Sequence, residues 1–366
     1  MKIKDFCTFA PKSKIKAGQA IKDGQYMFFT SSKDENKRYI DYLYDGEGII
    51  MGTGGNATLH YYKGKYAVST DCIVLNPDER IRCKYLYYFF LANMAILEAG
   101  FKGAGLKHTN RKYIENIVVS KLPTFDEQDS VIKILDKISD IIRFRNLELK
   151  VFDNLIKARF VEMFGDPEFN EKHWRVMPLD KLCEVGSSKR IYQDEQSQSG
   201  VPFLRISDLV NKIDTGSSES ELFIPEKKYD ELKKEGLVPS KGDILLTARG
   251  TLGRCYIITE KDRFYFQDGM ITWLSNFSKV VTSLYIFYLF TIPGFRKQID
   301  ALQSGSTVAY LSIAMTRNLN IMVPSLDLQN KFIDFVYQVN KSKVAIQKSL
   351  DETQLLFDSL MQKYFE

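Results

Sequence analysis

The sequence predicts an α+β protein of two repeated modules separated by two long helices, the helices forming an antiparallel coiled coil with pseudo-two-fold symmetry. Three observations predict it. First, residues 123–164 and 324–365 are one segment written twice: Pro123, Asp126 and Gln128 recur as Pro324, Asp327 and Gln329 at an offset of 201 (324 − 123), held without a gap to Phe164 and Phe365. Second, both copies place residues at alternating spacings of four and three. The stripe is Val131, Leu135, Ile138, Ile142, Arg145, Leu149, Phe152, Ile156, Arg159, Met163 in the first copy. In the second it is Phe332, Val336, Val339, Lys343, Ile346, Leu350, Thr353, Phe357, Leu360, Tyr364. An average of about 3.5 residues is the period of a two-helix coiled coil. Third, the regions ahead of the helices repeat more loosely: 3–7 matches 179–183, and 86–91 matches 284–289. The chain therefore reads as module 1–122, helix 123–164, module 165–323, helix 324–366.

Taken in order, the first module reads as short strands at 26–30, 39–44, 48–51, 58–62 and 67–75, punctuated by Gly and Asn turns. An apolar helix at 82–99, a glycine loop at 100–105 and a strand at 117–119 lead to Pro123. The second module gives strands at 202–206, 243–247, 254–259 and 270–274, a polar helix at 229–235, an apolar helix at 283–292, and a strand at 320–323 before Pro324. Each long helix has about 38 residues, or roughly 57 Å. A compact module of this size has a radius of gyration near 15 Å. Carrying the chain back the full helix length to a parallel partner would strain such a module, so antiparallel pairing is expected.

Composition narrows the function classes. With 366 residues and 44% apolar content, the chain is an ordinary globular protein of two or three domains. Cys7, Cys72, Cys83, Cys183 and Cys255 stand far apart with no Cys-x-x-Cys pair, which fits a reducing cytoplasm better than a disulfide framework or zinc site. No secretory signal pattern opens the sequence, and the apolar runs 85–97 and 284–292 are too short to span a bilayer. Charge is unevenly placed within the net +5. Residues 1–125 carry 19 Lys and Arg against 12 Asp and Glu, whereas 165–326 balance at 20 and 20. A basic first module suits a polyanionic partner.

Catalytic motifs are weak. Phe101-Lys102-Gly103-Ala104-Gly105 matches the Phe-x-Gly-x-Gly loop of amino-methyltransferases, but it follows an apolar helix where that loop follows a strand, and no Asn-Pro-Pro-aromatic motif accompanies it. No Gly-Lys-Ser/Thr phosphate loop occurs. Glu231-Leu232-Lys233 after Pro225-Glu226 imitates a nuclease carboxylate cluster but falls in a polar surface helix. His60, His108 and His173 lack metal spacing.

What remains are polar and basic loops of the kind that contact phosphates and base edges. The first module offers Thr30, Ser31, Ser32 and Lys33; Thr53, Gly55 and Asn56 in the turn 52–56; and Lys107 and His108 in the loop 107–111. The second offers Arg205 and Ser207; Thr247, Arg249 and Thr251; Gln267; and Ser304 and Thr307. Glycine lets backbone approach phosphate, Arg and Lys suit guanine, and Asn and Gln suit adenine.

With these residues in hand, the chain resembles the specificity subunits of type I restriction-modification systems over its whole length. The most specific pieces are Leu122-Pro123 with Asp126-Glu127-Gln128, the stretch Gly242-Asp243-Ile244-Leu245-Leu246, the loop Gly250-Thr251-Leu252-Gly253, and the paired starts at Ile3 and Leu179. Two departures stand out: the second helix has Leu328-Gln329 where the first has Glu127-Gln128, and the first module lacks a good copy of Gly-Asp-Ile-Leu. The resemblance implies two target recognition domains, each reading one half of a split asymmetric DNA target. It also implies that the helices set the spacing and dock two modification subunits. Adenine methylation with S-adenosylmethionine, and ATP- and Mg-dependent translocation and cleavage by restriction (motor) subunits, would then belong to partners, leaving this chain without catalysis or cofactor. Modules at the two ends of such a rod would centre no more than about 17 base pairs apart at 3.4 Å per step. A coiled-coil adaptor for proteins alone, distinguished by absence of DNA binding with partners present, is one alternative. A self-contained methyltransferase or nuclease, distinguished by activity of the isolated chain, is the other.

Overall fold

The computed structural model of the chain describes residues 1–119, 122–217, 220–302 and 309–365. It forms two compact units, Met1–Leu147 with Gln347–Glu366, and Glu148–Ile346. Each long helix contributes one part to each unit.

In the first unit, β1 (Cys7–Phe9), β2 (Tyr26–Phe29), β3 (Arg38–Tyr39), β4 (Tyr44–Gly52), β5 (Leu59–Val68) and β6 (Cys72–Pro77) form a sheet in the order β1-β6-β4-β5-β2-β3. β2 lies parallel to β5, and the other pairs are antiparallel. The sequence divides this region around Gly64, yet β5 runs straight through it. Gly46 on β4 faces Gly64 on β5, at φ of 129° and 133°, a conformation open to glycine at little cost, so the ribbon bends without ending. Helices α1 (Cys83–Ala92), α2 (Met94–Glu98), α3 (Arg111–Glu115) and the long α4 (Phe125–Phe164) follow. α1 buries Cys83, Tyr85, Leu86, Tyr88, Phe89 and Phe90, the near-continuous apolar surface of a helix enclosed on several sides.

The second unit continues with β7 (Arg175–Pro178), β8 (Glu184–Gly186), β9 (Val201–Leu204), α5 (Ile206–Thr215), β10 (Phe223–Ile224), α6 (Glu226–Lys234), β11 (Ile244–Thr247), β12 (Cys255–Ile257), β13 (Tyr265–Phe266) and β14 (Ile271–Ser275). Then come α7 (Ser283–Leu289), α8 (Pro293–Ala301), α9 (Ile313–Arg317), β15 (Asn320–Val323) and the long α10 (Leu326–Phe365). The strands pair as β10-β9-β13, β12-β11-β14-β8 and β15-β7. Three helices here, α5, α8 and α9, are absent from the sequence expectation. α5 starts with Arg205 as its N-cap and stops at Gly216 with φ 80°, so Ile206 and Ser207 lie in a first helical turn rather than a loop. Pro293 opens α8 instead of only ending the helix before it.

The repeated Pro-x-x-Asp-x-Gln has a physical cause. Gln128 and Gln329 are both fully buried. The Gln128 Oε1 accepts from the Arg82 backbone N–H at 2.8 Å, and its Nε2 donates to the Pro123 carbonyl at 2.9 Å. Gln329 Oε1 accepts from the Thr282 N–H at 2.9 Å, while Nε2 donates to the carbonyls of Pro324 at 2.9 Å and Val280 at 3.0 Å. Arg82 and Thr282 are the N-caps of α1 and α7. In each unit, then, one glutamine satisfies the open end of the apolar helix and ties it to the start of a long helix. The departure at Leu328 is also legible. Thr124 and Glu127 form a reciprocal capping pair, with the Thr124 N–H donating to Glu127 at 2.8 Å, whereas at α10 only Ser325 caps, accepting from the Leu328 N–H at 3.4 Å.

The stripe read from the sequence is the inner face of both long helices. All its positions, including Arg145, Arg159, Lys343 and Thr353, are buried or half-buried. In the first unit Val131 and Leu135 of α4 share a core with Phe357, Leu360 and Met361 of α10 and with Leu86 of α1. In the second, Ile156, Phe160 and Phe164 of α4 share one with Phe332, Val336 and Val339 of α10 and Tyr285 of α7. The Phe160 and Phe332 rings stand 5.4 Å apart edge to face, and Phe164 lies 5.0 Å from Tyr285. Within each unit the start of one long helix meets the end of the other, which is antiparallel pairing. Lys343, on the stripe, reaches Asp153 at 2.5 Å.

Candidate nucleic-acid interface

In the first unit three loops far apart in sequence meet where β2 and β4 end and β6 begins. Ser31 is their junction. Its Oγ donates to the Asp71 carbonyl at 2.6 Å and accepts from the N–H groups of Thr53 at 3.1 Å and Gly54 at 3.4 Å. The turn containing Thr53 and Gly55 is laddered to the third loop: Gly55 N–H donates to the Lys107 carbonyl at 2.9 Å, and Thr109 N–H to the Thr53 carbonyl at 3.0 Å. Only glycine fits at position 52, where a Cβ would stand 2.1 Å from Thr58 Oγ1 and 2.8 Å from Ser31 Cα.

The expected residues divide into those that present and those that support. Lys33, Asn56, Lys107 and His108 are exposed; Ser31, Ser32, Thr53 and Gly55 are half-buried. Thr30 is buried. Its hydroxyl sits 3.0 Å from Ser32 Oγ and accepts from Lys37 Nζ at 2.8 Å, so it shapes the loop and does not face solvent. The same loop is anchored by buried His60, whose Nε2 lies 2.9 Å from the Ser32 carbonyl and Nδ1 3.1 Å from Glu35. The His60 hydrogen bond holds the Glu35 carboxyl below its ordinary range. Lys37, His60 and Asp71 escape a sequence reading because their role arises only when distant loops close together.

The second unit builds a similar meeting point at the ends of β9, β11 and β13. β9 and β13 are parallel, as β2 and β5 are in the first unit. Gln267 N–H donates to the Leu204 carbonyl at 2.9 Å, placing half-buried Gln267 beside Arg205 in the ladder. Ala248 N–H donates to the Met270 carbonyl and Leu311 N–H to the Ala248 carbonyl, both at 2.9 Å, which joins the 247–251 loop to the start of β14 on one side and to the segment ahead of α9 on the other. Arg249 and Thr251 are exposed, and the Arg249 guanidinium lies 5.1 Å over the Tyr310 ring. Thr247 is fully buried and accepts from the Arg254 N–H at 3.0 Å while donating to the Thr251 carbonyl, so it closes the loop from within. Arg205 is engaged by Asp208 at 3.2 Å and lies 3.8 Å from Glu221, and Ser207 is exposed beside it. Ser304 and Thr307 lie outside the described residues.

Beneath the loops, Asp243 of the Gly-Asp-Ile-Leu stretch is buried. It accepts from Trp273 Nε1 at 2.9 Å and from the Ser240 N–H at 2.8 Å; burial raises its carboxyl above the ordinary value. It fixes a strand start. Burial likewise pushes the thiols of Cys7, Cys83 and Cys183 up to about 12, so these stay protonated and unreactive at neutral pH. Among the described residues no group of three or more His, Cys, Asp or Glu side chains could hold a metal ion, and no helix is long and apolar enough to cross a membrane. The Phe101–Gly105 loop follows α2, not a strand.

Known proteins are similar to this chain in sequence and in fold. The model of the type I restriction modification DNA specificity domain matches residues 1–151 and again 171–353. A protein assigned as a type I restriction enzyme specificity subunit in Haemophilus influenzae is 25% identical over 311 residues, covering 81% of this chain and 76% of that one. The MjaVIII specificity subunit of Methanocaldococcus jannaschii is 25% identical over 345 residues, covering 87% and 79%. In fold, the chain is similar to the S subunit of a type I restriction-modification system from M. genitalium, with TM-score 0.60, 14% identity, and coverage of 100% of this chain and 95% of that chain.

Proposed function

The chain belongs to the family of the type I restriction modification DNA specificity domain and is a specificity subunit, a recognition protein without catalysis of its own; beyond that, we propose that it reads a bipartite, asymmetric DNA target. In this reading residues 1–122 and 165–323 are the two readers, each recognising one half of the target, and 123–164 and 324–366 are the connectors that set the distance between halves. Two modification subunits that use S-adenosylmethionine, and ATP-driven restriction subunits, complete the complex.

The observation that carries this reading is the convergence of separate loops on one patch in each unit. Polar and cationic side chains gather there at strand ends, Lys33, Lys107 and His108 in the first unit and Arg249 in the second. Such a mixture of phosphate-binding cations and hydrogen-bonding groups positions a protein on a duplex and reads base edges. Docking of modification subunits is supported by a second, exposed apolar run on the long helices. Ile141, Phe144 and Leu147 carry it on α4 in the first unit, and Val151 and Leu155 in the second. A contiguous apolar strip left in water marks an interaction face.

Alanine substitutions in the full complex test the reading by gel shift across a salt series. Lys107→Ala is expected to weaken binding to all sequences alike and to lower the salt slope by about one. Arg249→Ala is expected to cost about 1–3 kcal/mol and relax preference at one base pair of the second half-site only. Arg205→Ala should do less, because Asp208 already engages that guanidinium. Wild-type affinity and salt slope in both Lys107→Ala and Arg249→Ala would remove these patches from the interface.

A further inference from the structure

The loop between α2 and α3 carries a feature that recognition by polar groups leaves unexplained. Reciprocal backbone bonds, Lys102 N–H to the His108 carbonyl at 2.9 Å and His108 N–H to the Lys102 carbonyl at 3.0 Å, close residues 103–107 into a tight hairpin tip. At the tip Gly103 has φ 147°, and a Cβ there would stand 2.8 Å from the Leu106 carbonyl, so the turn is built for glycine. The base of the hairpin is fixed to the 52–56 turn by the Gly55–Lys107 and Thr109–Thr53 bonds. The leucine at its end, Leu106, is 70% exposed. Its setting is cationic: the hairpin itself carries Lys102 and Lys107 and no Asp or Glu, while Arg111 beyond it pairs with Glu115.

An exposed leucine on such a loop gains when an apolar surface covers it. On a loop that cations hold against phosphate, the apolar surface within reach is the base stack. Gly103, Ala104 and Gly105 add no bulk to keep the backbone away from the duplex. We propose that Leu106 is a wedge: it inserts at a base-pair step of the half-site read by the first unit, partly unstacking and kinking it, while Lys102 and Lys107 hold the flanking phosphates. Apolar side chains delivered from basic elements deform duplexes in this way.

This inference rests on the DNA-reading function proposed above, and the test separates the two. 2-Aminopurine is placed in turn at steps of each half-site that do not flank a methylated adenine, in duplex bound by the full chain with its modification subunits. The wild-type complex is expected to raise fluorescence several-fold at one step of the first unit's half-site. Leu106→Ala should abolish that rise and weaken binding by about tenfold, in the range of stacking contacts removed by alanine; Leu106→Met should keep both. A leucine this exposed leaves folding untouched when shortened. Normal target binding with no Leu106-dependent rise at any step would overturn the wedge and leave the reading intact. Absence of target binding by the wild-type complex would overturn both.

Discussion

Removing one turn from the middle of each long helix, residues 144–147 and 345–348, is expected to shorten the unspecified spacer of the methylated target by one or two base pairs and to leave both half-sites unchanged. Four residues are about 6 Å of helix, less than two steps of duplex at about 3.4 Å each. The inner stripe survives the excision: Ile142 then precedes Leu149 by three positions, and Lys343 precedes Leu350 by three, so the apolar face stays continuous. The cores of the two units are spared, since Val131 and Leu135 at one end and Ile156, Phe160 and Phe164 at the other lie outside the cut, which takes Phe144 and Leu147 from the exposed strip and leaves Ile141, Val151 and Leu155 for docking. Mapping methylated bases in a host carrying the shortened chain reads the result. An unchanged spacer would mean that the helices do not measure the target.

Replacement of Gln329 by leucine is expected to destabilise the second unit by about 3 kcal/mol. The substitution keeps the volume but leaves the Thr282 N–H and the carbonyls of Val280 and Pro324 buried without their partner. Each such group loses about 1–3 kcal/mol when it cannot reach water. For a unit of this size the midpoint should fall by about 10 °C, measured as the transition of the full chain. Gln128→Leu removes two hydrogen bonds, where Gln329→Leu removes four, and should cost less. Gln329→Glu is informative because the carboxylate can still accept from Thr282 but cannot donate to the two carbonyls, so it should recover only part of the loss. A change below about 0.5 kcal/mol in Gln329→Leu would show that the repeated glutamine does not tie α7 to α10.

The long helices were legible in the sequence because their signal is redundant. The 4–3 spacing runs from 131 to 163 within one helix of 40 residues, and the second copy repeats it from 332 to 364, so a few polar members such as Arg145 and Lys343 do not hide the face. Short elements were not. β13 has two residues, too few for any period, and is held by pairing with β9. α5 was hidden because Arg205-Ile206-Ser207 reads as a polar loop until Gly216 is recognised as its stop. At the candidate interface, exposed loop tips such as Lys107 and Arg249 were legible from composition. The supporting role of buried Thr30 and Thr247 was not, since a threonine in a turn looks the same whether its hydroxyl faces water or the backbone beside it. The convergence on Ser31 depends on contacts across 22 to 40 residues, which no local pattern encodes.

The central claim is that a duplicated reader recognises two separate half-sites at a distance fixed by the protein. Single-molecule sequencing of modified bases, in a host carrying this chain together with its modification subunit, tests it most directly. One motif is expected, with two different, short, defined halves separated by a constant run of unspecified bases and adenine methylated in each half. A single uninterrupted or palindromic motif, or the same methylation pattern with this chain deleted, would contradict it.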